Sequence, residues 1–383
     1  MAGGRTSSPA QLRWASRTQF FASGFIFATW GVHVPTIKVH YGVDEGLLGL
    51  AMLAAGIGAL FGLTQASRGI ARYGAQNIAA LCGGTYALLL AGLLATPSFS
   101  TLLAVLAVFG AATSVFDVAI NTEAALLEAR EARPLMSGMH GMFSLGGMAG
   151  AMTGGAALES GLPPQWHLTL TALAMLIVIV LAARWMLPRT RTLHSSSHGS
   201  FRLPRGTLAV LGILAALGLI AEGAIYDWSV LYLIQELHSS PQQAALAYAS
   251  FSAAMAATRF GGDAMRARWA PSVLLRGSAL LAAASMTLVL LASAPWQALL
   301  GFAGVGIGFA NVVPILFAAS ARVPGVEPAR GIAGVSAAAY LGFMAGPPAI
   351  GFLARLDSLT TALCVVVVFA VALASSSRYA DPA

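Results

Sequence analysis

Long apolar runs alternate with short polar breaks twelve times along this chain. The runs fall at residues 18–37, 46–66, 77–96, 101–122, 135–157, 167–187, 207–234, 243–261, 272–294, 296–319, 331–353 and 358–376. About 20 apolar residues at 1.5 Å each cross the ~30 Å hydrocarbon core of a bilayer. The pattern therefore predicts twelve membrane-spanning helices. The third run of each group of three (3, 6, 9, 12) is almost uniform Leu, Ala, Val and Ile, as in Met175–Ala183 and Cys364–Ala374. Such a helix suits contact with lipid. The first run of each group (1, 4, 7, 10) instead carries Trp30 and His33; Asp117 and Asn121; Glu222, Tyr226, Asp227 and Trp228; and Asn311 with Pro314. Polar groups in hydrocarbon need a partner or a wet cavity, so these four helices are expected to line a common interior.

Charge fixes the orientation. Threaded as twelve spans, the chain puts 19 of its 21 basic residues on one side, and only Lys38 and Arg355 fall on the other. Cytoplasmic loops hold Lys and Arg while translocated loops shed them, so both termini are expected in the cytoplasm, in a bacterial inner membrane. Composition agrees: 57% of residues are hydrophobic, 9% are charged, and mean hydropathy is +0.78. The net charge of +7 is spread over the cytoplasmic segments without a basic patch or aromatic platform, which argues against nucleic acid. Cys82 and Cys364 lie in apolar runs and read as free buried thiols. The first apolar run ends at Trp30–Pro35 with no small-residue cleavage site, unlike a secretory leader.

The longest polar stretch is Pro188–Gly206, rich in Ser, Arg and His, and reads as a flexible cytoplasmic linker. His194 and His198 within it have helical spacing, but the Ser run around them argues against a metal site. The linker divides the chain into an N-terminal six-helix bundle (1–187) and a C-terminal one (207–383). The two look like repeats: Leu145-Gly146-Gly147-Met148-Ala149-Gly150 recurs as Leu341-Gly342-Phe343-Met344-Ala345-Gly346, offset by 196. An offset of 198 pairs Trp30 with Trp228 and Arg68 with Arg266. Repeated helical bundles usually rock about a central site.

Twelve spans, a central linker, repeated halves and polar first helices together resemble the major facilitator superfamily. After span 8, Arg259-Phe260-Gly261-Gly262-Asp263-Ala264-Met265-Arg266-Ala267-Arg268 is similar to that superfamily's signature loop, which implies a gating role for Asp263, Arg266 and Arg268. The first-half copy keeps Arg68 and Arg72 but has Gln65 where Asp263 aligns. Spans 4 and 5 resemble the fucose-permease-like sugar transporters, through Asp117-Val118-Ala119-Ile120-Asn121 and His140-Gly141-Met142-Phe143-Ser144-Leu145-Gly146. That sugar permease is similar in using a span-1 carboxylate too, and none lies between Arg17 and Pro35 here. The resemblance implies a transporter of a small polar solute working by alternating access.

The residues suggest how. Asp117 and Asn121 are four apart and share a helix face, and a carboxylate inside the bilayer is a group whose charge state can change as the cavity switches sides. Glu222 lies roughly 22 Å along span 7 and Asp227 roughly 30 Å, their directions diverging by about 140°. Together with His140 these carboxylates are the candidate proton-coupling groups. Asn121, Trp30, Tyr226, Trp228, Phe143 and Asn311 are the candidate solute contacts. Trp30, His33 and Trp228 fall near span ends, so an interfacial belt is the plain alternative to a pair of aromatic plates; Asp227 could equally tie off the outer end of span 7. Gly146, Gly150 and Gly154 form a ridge expected to serve sliding between the halves, and Pro347-Pro348 is expected to kink span 11.

No phosphate-binding G-x-x-x-x-G-K-[ST] loop and no H-E-x-x-H helix is present. The chain therefore reads as a secondary carrier with no cofactor, not an enzyme; its partners are a small solute, protons and lipid, and it acts as a monomer. A proton-driven exporter and a non-transporting receptor with a transporter fold stay open as alternatives.

Overall fold

The computed structural model describes residues 8–132, 134–187 and 205–381; most of the linker, with His194 and His198, lies outside them. The described chain is helical throughout: α1 (Pro9–Tyr41), α2 (Glu45–Tyr73), α3 (Ala75–Gly92), α4 (Phe99–Glu131), α5 (Met136–Glu159), α6 (Pro164–Ala183), α7 (Thr207–Gln235), α8 (Pro241–Arg268), α9 (Pro271–Leu290), α10 (Pro295–Phe309), α11 (Val312–Ser320), α12 (Pro328–Leu356) and α13 (Leu359–Ser375). These form twelve spans, because α10 and α11 are two pieces of one. Pro314 explains the division. Its ring clashes with the carbonyl four residues back and it offers no N–H, and the helix is interrupted at Ala310 and Asn311, just where that carbonyl lies. Pro347 and Pro348 sit inside an unbroken α12, against Gly49 of α2.

Helix ends are set by caps rather than by hydropathy, so most helices overrun their apolar runs. Ser8 and Gln11 make a reciprocal capping box at the start of α1, nine residues before the first apolar run begins. Asp44, Ser98, Ser240 and Ser358 accept from backbone N–H groups at the starts of α2, α4, α8 and α13. Gly42, with φ 61, ends α1 in the left-handed region that a side chain would disfavour.

Helices α1–α6 and α7–α13 form the two halves. Within each, glycines bring backbones together. A Cβ on Gly24 or Gly146 would collide with the carbonyl of Phe143 or Phe21, locking α1 to α5, and Gly58 and Gly110 do the same for α2 and α4. The second half repeats the device, with Gly342 and Gly346 against Ala216 and Ile220 of α7. The ridge Gly146, Gly150, Gly154 therefore faces α1 of its own half and does not serve the seam between the halves. The seam is built by α5 on α8 and by α2 on α12, with α1 touching α7 and α8; Gly147 and Gly155 of α5 meet Ser252, Tyr248 and Ala245 there.

Helices α3, α6, α9 and α13 stand on the outside, with Leu88, Ile177, Leu288 and Val368 among their exposed side chains. Cys364 is exposed on α13 rather than buried, and both cysteines are free. Trp14, Trp166, Trp185, Trp269 and Trp296 are the exposed tryptophans; Trp30 and Trp228 are buried, so the belt is made by other residues.

Candidate translocation site

Two polar centres lie near mid-membrane on the seam. The first is built on Glu222, close to the midpoint of α7. Its carboxylate pairs with the Arg259 guanidinium of α8 at 3.0 Å, with side-chain exposures of only 9% and 11%. Arg259 also donates to Ser144 Oγ of α5 at 2.9 Å, so one guanidinium ties both halves. A charge this deep is tolerable only when paired and hydrogen-bonded, and Arg259 has both. Ser137 of α5 donates to the Arg259 backbone carbonyl at 2.8 Å. His140 is partly buried beside this group, edge-on to Phe20 at 5.3 Å, with Arg259 as its neighbouring charge.

The second centre is Asp117 on α4. The Asn121 amide donates to its carboxylate at 3.1 Å and to its backbone carbonyl at 2.9 Å, as the four-residue spacing predicts. The Tyr340 hydroxyl of α12 reaches the other carboxylate oxygen at 3.4 Å, again joining the halves. Tyr340 and Ser144 stand 196 apart, at equivalent positions of the repeat. Each half thus offers a hydroxyl from the same repeat position to a charged group of the other.

Further along, the Trp30 side chain of α1 lies beside the buried Asp227 of α7. Tyr226 lies among Phe27 (ring centroids 5.5 Å), Tyr248 (5.0 Å) and Phe251 (5.0 Å), and Phe143 is 6.3 Å from Phe27. Trp228 is elsewhere: fully buried against Gly351, its indole N–H without a partner. His33 is also buried, 2.9 Å from His167 of α6, and is not interfacial.

Beyond this level the halves are fastened at the face away from the termini. Glu45 takes Lys38 at 2.7 Å and the Gln235 amide of α7 at 2.8 Å. Asp44 takes Arg355 of α12 at 3.1 Å. Lys38 and Arg355 are the two cations that break the charge asymmetry of the sequence. The main packing partners of α4 are α2 and α3 of its own half, and Tyr340, which reaches it from α12, is 38% exposed. The ion pairs fasten the seam at the face away from the termini, and toward the termini α5 and α8 stay in contact through Ser137 and Gly262.

This architecture has relatives. The profile of the Major Facilitator Superfamily matches residues 18–325. An uncharacterized MFS-type transporter of Yersinia pestis is 34% identical over 364 residues, 95% of this chain and 94% of the relative. The chain belongs to the major facilitator superfamily. It is accordingly a membrane transporter and not an enzyme. Among solved structures, a bacterial homolog of the human lysosomal transporter Spinster, inward-facing and unoccupied, superposes with a TM-score of 0.77 at 16% identity, covering 98% of both chains. The E. coli fucose:proton symporter FucP superposes with a TM-score of 0.65 at 15% identity, covering 97% and 98%.

In this major facilitator protein the residues expected in a loop after span 8 lie instead on the last helical turns of α8. Arg266 pairs with Asp263 and donates to Asn311 Oδ1 at 3.1 Å. Asn311 therefore sits, buried, at the break between α10 and α11 under these turns, away from the central polar groups. Arg268 is exposed, as is Arg68 in the first-half copy beside Gln65. Sequence reasoning missed Arg259 as a central group and missed Tyr340, Tyr248 and His167. A buried Arg among loop-like glycines was the available signal for the first.

Proposed function

We propose that this chain is a secondary active carrier that moves a small polar solute, sugar-like or a related metabolite, across the bacterial inner membrane by alternating access coupled to protons, with both termini in the cytoplasm. The observation that carries the reading is the half-buried Asp117, held by Asn121 and touched across the seam by Tyr340. A carboxylate placed there loses its cross-half partner whenever the seam opens, so its charge and the position of the halves are linked. Glu222 and Arg259 neutralise each other and hold the second contact in register. The ion pairs at Asp44 and Glu45 form the closed gate of the inward-facing state.

The test is transport in proteoliposomes, with the solute first found by a thermal-shift screen of sugars, amino acids and nucleosides. Asp117→Asn is expected to lose uptake driven by a pH gradient while keeping exchange of labelled for unlabelled solute. Wild-type pH-driven uptake by that variant refutes the coupling role. Absence of exchange by the wild type with a solute that binds refutes the carrier.

A further inference from the structure

We infer that Asp227, Trp30, Tyr226 and Tyr248 form the solute subsite of the carrier, and that it takes a positively charged nitrogen, an ammonium group on the solute. This rests on the carrier reading above and adds the substrate class. Three observations meet at one place. The Asp227 carboxylate is buried, on the stretch of α7 that Gly31, next to Trp30, approaches at the Tyr226 carbonyl; among the described residues it has no cationic partner, whereas Glu222, five residues earlier, has Arg259.

Packed on Tyr226, the chain neighbour of Asp227, is Tyr248, whose hydroxyl is fully buried with no hydrogen-bond partner. A buried hydroxyl left unsatisfied is costly and uncommon, and is often a group awaiting a ligand. The walls are aromatic. Tyr226 and Tyr248 are 5.0 Å apart, with Phe27 5.5 Å from Tyr226 on the other side. Gly31 lets α1 close on this cluster: a Cβ there would lie 2.9 Å from the Tyr226 carbonyl and 2.8 Å from the Tyr248 ring.

An ammonium matches each element. It donates to the carboxylate and to the Tyr248 oxygen, and the ring faces attract its charge. A hydroxyl would use the same hydrogen bonds but not the charge balance. Below the fastening pairs, at mid-length of the helices that meet on the seam, stand three carboxylates (Asp117, Glu222, Asp227) and one guanidinium (Arg259). A neutral solute leaves that imbalance untouched, while a cation offsets part of it. Trp30 comes from one half and the other three residues from the second, so a solute held there is gripped by both halves. In this state α1 is closed over the carboxylate, and the solute nitrogen enters when α1 and α7 part at the fastened face.

The test uses the purified full-length protein and two matched pairs of probes: glucosamine against glucose, and choline against its uncharged isostere 3,3-dimethylbutan-1-ol. We expect at least one cation to raise the unfolding temperature more than its neutral partner, and Asp227→Asn to weaken that binding at least tenfold. Tyr248→Phe should weaken it as well while leaving the ligand-free protein as stable as wild type, since it removes an unsatisfied group. The inference is overturned if neither cation binds, if the neutral partner binds equally, or if Asp227→Asn keeps the preference. Exchange of a neutral probe alone in proteoliposomes supports the carrier and sinks the ammonium site; cation binding without exchange does the reverse.

Discussion

Removing one member of the Arg259–Glu222 pair is the sharpest perturbation the fold offers. The groups are 3.0 Å apart and about nine-tenths buried, so Arg259→Met strands a carboxylate near mid-membrane and Glu222→Leu strands a guanidinium. Breaking a buried pair from one side costs about 3–5 kcal/mol, whereas replacing both partners with apolar groups is often close to neutral. At roughly 2 °C per kcal/mol, the low end of the range and suited to a long chain, each single variant should lower the unfolding temperature by about 6–10 °C. The double variant Arg259→Met with Glu222→Leu should recover most of that loss. Ser144→Ala removes one hydrogen bond to Arg259 and leaves the pair intact, a loss of about 1 kcal/mol. The assay is thermal unfolding of purified protein followed by intrinsic fluorescence, read as a double-mutant cycle. Single variants as stable as wild type, or a double variant as damaged as the sum of the two, would refute the assignment of Arg259 and Glu222 as a mutually dependent pair.

Two further outcomes follow from the geometry. The fastening at Asp44 and Glu45 is partly exposed, with 59% and 38% for Arg355 and Asp44, so each contact is worth at most about 1 kcal/mol. Asp44→Asn together with Glu45→Gln should shift the population toward opening at that face by up to about 30-fold, read as a longer distance between spin labels at Val39 and Leu356; an unchanged distance distribution removes the gate from the mechanism. Gly146→Ala, which drives a methyl into the Phe21 carbonyl, should cost about 1–3 kcal/mol, while Gly277→Ala, with open space around it, should be neutral or up to about 1 kcal/mol stabilising; equal thermal stability of the two variants would overturn the glycine lock.

Span number and the repeat were legible because both are written in one dimension, as apolar runs and as residues at a constant offset. The Asp117–Asn121 contact was legible for the same reason: a four-residue spacing on a helix decides it. What escaped depends on contacts between distant segments. Arg259 read as one more cytoplasmic cation because it begins a Gly-rich stretch, yet α8 continues nine residues past it to Arg268 and holds it below the surface. Trp30 read as a helix-end residue because the apolar run stops soon after it, while α1 continues to Tyr41. The glycine ridge of α5 was recognised as a close-packing face, but only the fold says that its neighbour is α1. Asn311 was grouped with the cavity by helix number, and the break caused by Pro314 turned it toward Arg266 instead.

That break gives the two halves unequal mechanics. In the first half α4 is a single rod of 33 residues, whereas its counterpart in the second half is two rods of 15 and 9 residues meeting at a residue clasped by Arg266. A stiff jaw thus faces a jointed one. The joint lies under the grip of the last turns of α8, so bending of the second jaw is answerable to that helix end, and the cycle has a leading side even though its architecture is nearly symmetric.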